Sequence, residues 1–271
     1  MKHYALIGEK LGHSVSQPIH EAIFRIIGAD ADYRIIEIPR DHFEQETRGL
    51  IASLDGFNIT IPYKQDVMPL LTEIDPYAAS IGAVNTVLTG DVNRGFNTDA
   101  PGFMRMLEHY GIDPAKTAHS FILGSGGTSK TVLACLKEMG SANVHVVSRH
   151  PDPDKPHEIS YDQFYEAFPQ CGGVLVNASS AGMWPRRDAD NICAIRPDRV
   201  DEMMQYASAV ADVVYNPPET FLTQSAARAG KPWCTGLYML IEQAVQAEAI
   251  WQGHAMPEGL TERLMKELKL I

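Results

Sequence analysis

The chain has 271 residues, 45% of them hydrophobic and 21% charged, the make-up of a globular protein with room for one large domain or two modest ones. Lys and Arg number 23 against 34 Asp and Glu, and the net charge of -11 opposes any polyanion, which sets nucleic acid aside as a partner. Cys135, Cys171, Cys193 and Cys234 lie far apart, with no C-x-x-C pair and no Cys/His zinc spacing, so they read as free thiols in a reducing compartment.

The opening MKHYALIGEK has too short an apolar stretch for a secretory signal, and no run approaches the roughly 18 apolar residues of a membrane span. The expectation is a cytoplasmic protein without membrane contact.

Short apolar runs alternate with longer amphipathic ones, the pattern of α/β architecture. HYALIG (3–8) predicts a first strand and QPIHEAIFRIIG (17–28) a helix stopped by Gly28. DYRIIEIP (32–39), HFEQETRGLIASL (42–54) and GFNITIP (56–62) continue as strand, helix and strand. After NTDAPGF (97–103), MRMLEHYG reads as a helix ending at Gly111. The stretch HSFILGSGGTSKTVLACLKEMGSANVHVVSRH (119–150) then packs strand, glycine turn, helix and strand into one unit of about thirty residues, the size of a βαβ mononucleotide-binding half.

GVLVNAS (173–179) and AVADVVY (209–215) supply further strands, and PDPDKP (151–156) reads as a bare loop. LYMLIEQAVQAEAIWQG (237–253) and LTERLMKELKLI (260–271) are helical by period. With a nucleotide unit in the middle, the two ends are expected to meet. The first domain is then residues 1–101 completed by helices within 237–271, and residues 102–236 form the second.

In LGSGGTS (123–129) the glycines Gly124, Gly126 and Gly127 follow an apolar strand and open a helix. Such a turn lets backbone amides approach a pyrophosphate, and the helix N-terminus favours negative charge. The run is G-x-G-G rather than the full G-x-G-x-x-G, so its βαβ setting carries the reading. Where an NAD enzyme places an acid on the ribose, at the end of the next strand, this chain has Ser148, Arg149 and His150. An arginine there can pair with a 2′-phosphate, which favours NADP over NAD.

Ser14 and Ser16, two apart in GHSVSQPIH (12–20), face one side of an extended segment and could grip a small polar ligand. Equally, Ser16 could cap the following helix, with Pro18 in its first turn. His13 and His20 have no companion Cys or carboxylate cluster, so no metal is expected.

NITIPYK (58–64) raises a different question. Phe57, Ile59 and Ile61 predict the core face of a strand, Asn58 and Thr60 the opposite face, and Pro62 ends the pairing. Lys64, just past the strand end, stands where open α/β sheets place ligand sites, or is an ordinary surface lysine. Asn85 in GAVNTV (82–87), and Asn97 and Asp99 in GFNTDAPGF (95–103), are short polar residues in apolar or glycine-bounded runs. Turn chemistry can claim Asn97 and Asp99; it does not claim Asn85.

Taken in order, HSVSQPIH, NITIPYK, IGAVNT, GFNTDAPGF, GSGGTS, NASSAGM and GLYMLIEQA resemble the shikimate dehydrogenase family of aromatic amino-acid biosynthesis nearly end to end. The resemblance implies an N-terminal α/β domain for substrate, a Rossmann-like doubly wound domain for NADP, and a cleft between them. It makes Lys64 and Asp99 the catalytic pair and Ser14, Ser16, Thr60, Asn85, Tyr215 and Gln243 the substrate contacts. It gives Gly124, Ser125, Gly126, Gly127, Thr128, Ser148, Arg149, Asn177, Ala178, Ser179, Val213, Gly236 and Met239 to the cofactor.

The implied partner is a small molecule, shikimate or 3-dehydroshikimate, in a monomer or homodimer. Two departures stand out. Gln17 precedes Pro18 where the family has proline directly after the second serine, and the segment after the ribose-binding strand carries one arginine rather than two. These keep two alternatives in view: a quinate/shikimate dehydrogenase using NAD or NADP, and a non-catalytic ligand-binding paralogue.

Overall fold

The computed structural model describes residues 1–12, 14–184 and 191–268; His13 and the last three residues of the expected C-terminal helix lie outside them. The backbone divides into two compact units, Met1–Pro101 with Ile241–Ile271, and Gly102–Leu240. The elements of the first are β1 (Lys2–Gly8), α1 (Ser16–Ile27), β2 (Ala31–Glu37), α2 (Phe43–Ile51), β3 (Gly56–Ile59), β4 (Glu73–Ile74), α3 (Pro76–Ile81), β5 (Thr86–Leu88) and β6 (Arg94–Phe96), followed by α4 (Asp99–His109), which crosses the boundary. Among the described residues the strands form a mixed sheet of order β2-β1-β3-β5-β6-β4. β1 runs parallel to β2 and β3, while β5 is antiparallel to both β3 and β6.

That register decides where the functional residues emerge. Asn58 of β3 faces Thr86 at the start of β5, and Thr86 faces Phe96 at the end of β6. The carboxyl ends of β1, β3 and β6 and the amino end of β5 therefore share one edge of the sheet, where open α/β sheets bind ligands.

The expected strand through residue 62 stops at Ile59. Thr60 N–H still donates to the Ile7 carbonyl, but Tyr63 N–H then closes a turn onto the Thr60 carbonyl. Ile61, expected in the core, lies on that turn and is 66% exposed. The strand expected over 209–215 likewise ends early, at Asp212: Val213 N–H still donates to the Asn177 carbonyl, but Val214 N–H turns back to the Asp212 carboxylate.

The second unit contains β7 (His119–Leu123), α5 (Gly127–Glu138), β8 (Asn143–Ser148), β9 (Glu158–Ser160), α6 (Tyr161–Cys171), β10 (Gly173–Asn177), α7 (Val200–Tyr206), β11 (Ala207–Asp212), α8 (Phe221–Arg228) and β12 (Trp233–Thr235). Its strands pair in parallel in the order β12-β11-β10-β7-β8-β9. Counted within the unit this is 3-2-1-4-5-6 read from the β9 end, the doubly wound Rossmann arrangement. Phe121, Phe164 and Phe168 meet edge-on or tilted, with centroids 5.1–5.5 Å apart, at the centre of the core that joins this sheet to α6, α7 and α8.

The C-terminal helices α9 (Leu237–Gln252) and α10 (Leu260–Glu267) follow. Trp251 of α9 stacks on Tyr4 of β1 at 4.4 Å and donates its indole N–H to the Val87 carbonyl at 2.9 Å. Gly56 opens β3 beneath that ring: a Cβ there would sit 2.5 Å from Trp251 Nε1, so only glycine lets the helix lie down. Beside it, His20 and Glu248 pair at 2.6 Å, both fully buried, with the His20 ring stacked on Tyr33 at 4.1 Å.

Candidate active site

Lys64 and Asp99 come together in the first unit. Nζ of Lys64 donates to Oδ2 of Asp99 at 2.5 Å, with the side chains 19% and 13% exposed. The two residues are 35 positions apart, and each is held by its own neighbours.

Next to Lys64, the Tyr63 ring stacks on Phe43 at 4.0 Å and its hydroxyl donates to the Ile38 carbonyl at 2.5 Å. The Lys64 carbonyl accepts from Val84 N–H at 2.8 Å. Asp99 opens α4, where an acid also meets the positive end of the helix.

Asn97 and Asn85 set that helix start. Asn97 Oδ1 accepts from Ala100 N–H at 3.1 Å, and its amide donates to the Ala83 carbonyl. Asn85 Oδ1 accepts from Thr98 N–H at 2.7 Å, while Nδ2 donates to Thr98 Oγ1 at 3.0 Å. The network continues inward, with Asn58 Nδ2 donating to Thr86 Oγ1 and Tyr33 O–H donating to Asn58 Oδ1. The polar face of the 58–64 segment is therefore partly spent inside the fold. Asn58 is structural, and Asn85 holds the residue before Asp99.

Ser16 is the first residue of α1, whose N-cap is Val15, and makes no capping bond. The helix-cap alternative for its hydroxyl is thereby removed. Ser14 Oγ instead accepts from Ser16 N–H and donates to Ser16 Oγ, each at 3.2 Å. Gln17 turns along the helix to bond Glu21 at 2.8 Å, so the residue inserted before Pro18 points its amide away from the serine pair. Thr60 lies half-buried beside Gly8 and Leu11. Gln243 is half-buried on α9, between the buried residues Glu242 and Ala244.

In the second unit the glycine turn sits at the end of β7, at the switch point where β8 departs to one side and β10 to the other. Gly124 has φ +107°, and a Cβ on it would be 2.9 Å from Ser179 Cβ, so the turn and the loop after β10 close on each other only through glycine. A Cβ at Gly126 or Gly127 would meet nothing within 4 Å. These residues open α5 without a side-chain cap, leaving its first amides to an anion. Ser125 and Ser148 join their hydroxyls at 3.0 Å, which ties the glycine turn to the end of β8. Thr128 follows in the first turn of α5.

Arg149 is exposed and, among the described residues, makes no ion pair. The other cation nearby is occupied: Lys155 pairs with Asp152 and Glu158, each at 3.1 Å. Arg149 is thus a guanidinium after β8 that no described carboxylate engages.

Asn177 is fully buried and its side chain is committed. Its amide donates to the Ala181 carbonyl and Asp212, and its oxygen accepts from Ser179 N–H and O–H. What the 177–179 segment can offer a ligand is its backbone and Ala178 Cβ. Met239 is buried, Val213 and Tyr215 are half-buried, and burial pushes the Tyr215 hydroxyl above its usual pKa. Gly236 N–H donates to the Val214 carbonyl at 3.1 Å.

Residue patterns missed Asp212, a fully buried carboxylate at the end of β11. The signal was present in ADVV, an acid inside an apolar run, which is the argument that singled out Asn85.

Comparison with known proteins adds to this geometry. Residues 6–87 match the shikimate dehydrogenase substrate binding domain. The chain is 33% identical over 269 residues to the NADP(+) shikimate dehydrogenase of Clostridium beijerinckii, covering 97% of each chain. It is similar in structure to a chorismate mutase/shikimate 5-dehydrogenase fusion protein from Clostridium acetobutylicum, with TM-score 0.89, 33% identity and 99% and 97% coverage of the two chains. A shikimate 5-dehydrogenase from Thermus thermophilus in complex with NADP(H) and shikimate matches with TM-score 0.79 and 27% identity, covering all of both chains.

Proposed function

The chain belongs to the shikimate dehydrogenase family, and from that premise we propose that it catalyses the reversible NADPH-dependent reduction of 3-dehydroshikimate to shikimate in aromatic amino-acid biosynthesis. The observation that carries the proposal is the Lys64–Asp99 contact of 2.5 Å, made by a side chain on the turn after β3 and one at the start of the helix after β6. An alcohol oxidation needs a group to take the hydroxyl proton and a charge to steady the oxygen as it loses that proton. A lysine held by an aspartate supplies both.

The roles then follow. The Lys64–Asp99 pair takes the hydroxyl proton in oxidation and returns it in reduction. Ser14 and Ser16 exchange their mutual 3.2 Å contact for hydrogen bonds to the substrate carboxylate, which needs no buried arginine. Asn85 gives one amide hydrogen to Thr98 and keeps the other for a substrate hydroxyl, with Thr60, Gln243 and Tyr215 as further contacts.

In the second unit, Gly124, Ser125, Gly126, Gly127 and Thr128 hold the pyrophosphate. Ser148 and Arg149 take the 2′-phosphate, and Asn177, Ala178, Ser179, Val213, Gly236 and Met239 line the remainder. When bound, the cofactor would supply the hydride acceptor for the substrate's C3 as NADP+ and the hydride donor for the reverse reaction as NADPH. Exposed Ser125, Gly126 and Gly127, the uncapped α5, and Arg149, which makes no ion pair among the described residues, fit a cofactor that carries both a pyrophosphate and a 2′-phosphate.

The test is turnover of purified protein on shikimate and quinate with NADP and with NAD. The proposal expects shikimate with NADP to give the highest kcat/KM. A quinate value equal to or above it would overturn the substrate, and no NADPH formed from either would leave only a ligand-binding protein.

A further inference from the structure

Asp212 is buried, and among the described residues no cation partners it. Removing a carboxylate from water without a counter-charge is costly, so the position demands a reason that a neutral side chain would not meet. Its contacts supply one. Oδ1 accepts from Asn177 Nδ2 at 2.9 Å and from Val214 N–H at 3.0 Å, and Oδ2 accepts from Thr220 O–H at 2.7 Å.

Each donor belongs to a different segment. Asn177 ends β10 and starts the loop that closes against Gly124. Val214 lies between Val213 and Tyr215, and Thr220 is the N-cap of α8. The loop after β10 is one wall of the switch-point crevice and the glycine turn is the other. The carboxylate holds the first wall from behind.

Asp212 also fixes the Asn177 amide. An acceptor-only carboxylate requires Nδ2, not Oδ1, to face it, and this leaves Oδ1 to take both Ser179 donors. Val213 N–H in turn donates to the Asn177 carbonyl at 3.0 Å, so the loop and the turn are set together.

We propose that Asp212 is a positioning residue for the dinucleotide: its ionised carboxylate locks the Asn177–Ser179 loop and the Val213–Tyr215 turn in the arrangement that receives the cofactor. The inference rests on the NADP reading of this unit. Burial raises the Asp212 carboxyl to about 7, against the lowering effect of its three hydrogen bonds, so the lock loosens as pH falls through neutrality. Among the described residues, the titratable groups facing it are the Cys193 and Cys234 thiols. Burial first, and then the Asp212 charge, push both upward, Cys193 to about 12, so they stay neutral over that range.

The experiment is titration of NADP+ into wild type and Asp212→Asn at pH 8 and pH 6, by calorimetry, with thermal unfolding of each protein as a fold control. Asparagine keeps one acceptor for Asn177 and Val214 but presents an amide to Thr220. The expected result is a Kd about ten-fold weaker than wild type at pH 8, the scale of one lost charge-assisted hydrogen bond. The ratio should shrink toward one at pH 6, where wild type has taken up its own proton. Titration of the cofactor phosphate is common to both proteins and cancels in the ratio.

Equal Kd values at pH 8, with only a lower unfolding temperature for the variant, would reduce Asp212 to a structural brace and overturn the proposal, as would a ratio that is the same at both pH values. If Asp212→Asn does not fold, Thr220→Val withdraws one donor from Asp212, together with the α8 cap bond from Thr223 N–H, and is expected to weaken binding several-fold; unchanged binding there overturns the proposal too. Wild type that fails to bind NADP+ at all removes the dinucleotide reading itself, whereas wild type that binds, with variants that bind equally, removes this inference alone.

Discussion

Replacing Lys64 by alanine takes away the donor that faces Asp99 at 2.5 Å and leaves the rest of the 60–64 turn bonded through its backbone. Loss of an acid/base group lowers kcat by about 10² to 10⁴, equivalent to about 2.7–5.5 kcal/mol of barrier. The stability cost is a separate quantity. With side chains 19% and 13% exposed, the pair lies between a solvent-exposed ion pair, worth about 0–1 kcal/mol, and a buried pair broken from one side, which costs about 3–5 kcal/mol. About 1–3 kcal/mol is expected.

The two effects are separated by measuring kcat and the shikimate Kd on protein shown to be folded by thermal unfolding. The Kd should move much less than kcat. Lys64→Arg sharpens the test, because a guanidinium keeps the charge beside Asp99 but does not give up its proton; stability should recover while kcat stays low. An alanine variant with near-native kcat would remove Lys64 from the mechanism and refute the reasoning.

Arg149→Ala should raise the KM for NADP and leave the KM for NAD nearly unchanged, since only NADP has a 2′-phosphate to lose; equal changes in both would show that Arg149 does not read it. Ser14→Ala should cost about 1–3 kcal/mol in kcat/KM by removing a donor to a charged acceptor. Ser16→Ala should act on kinetics as well, and because the Ser16 hydroxyl makes no cap bond its unfolding temperature should match wild type; a drop matching the loss of about 1 kcal/mol would restore the helix-cap role. Gly56→Ala should destabilise by about 1–3 kcal/mol or more, the cost of overpacking, because its Cβ would meet Trp251 Nε1 at 2.5 Å and the Val87 carbonyl at 2.8 Å; an unchanged unfolding curve would mean α9 does not bear on β3.

Where a local signal and the fold agreed, the sequence was legible. The βαβ run from His119 to Ser148 has its glycines at the turn, and Gly28 ends α1 in the left-handed conformation, the usual helix stop. Lys64 could be placed because a proline and a turn follow an apolar strand. Ile61 was misplaced because alternation assumes that pairing continues, and here the chain leaves the sheet two residues earlier.

Asn85 was singled out as a polar residue in an apolar run, yet spacing could not show that its side chain is largely spent on Thr98. Asp212 escaped because AVADVVY reads as one uninterrupted strand. Only the folded chain brings Asn177, Val214 and Thr220 to it. Some short elements did carry signals that went unread. Asp75 caps α3 with Pro76 at its first position, and Ser160 with Gln163 forms a capping box on α6.

The proposed reaction passes a hydride from C3 of shikimate to the nicotinamide of NADP, with Lys64 and Asp99 handling the hydroxyl proton. Shikimate carrying deuterium at C3, incubated with the protein and NADP+, tests it directly when the NADPH formed is analysed by mass spectrometry. NADPH one deuterium heavier than that formed from unlabelled shikimate is expected, with formation slowed by at least about 10² in Lys64→Ala. NADPH without the label, or no NADPH from wild type, would contradict it.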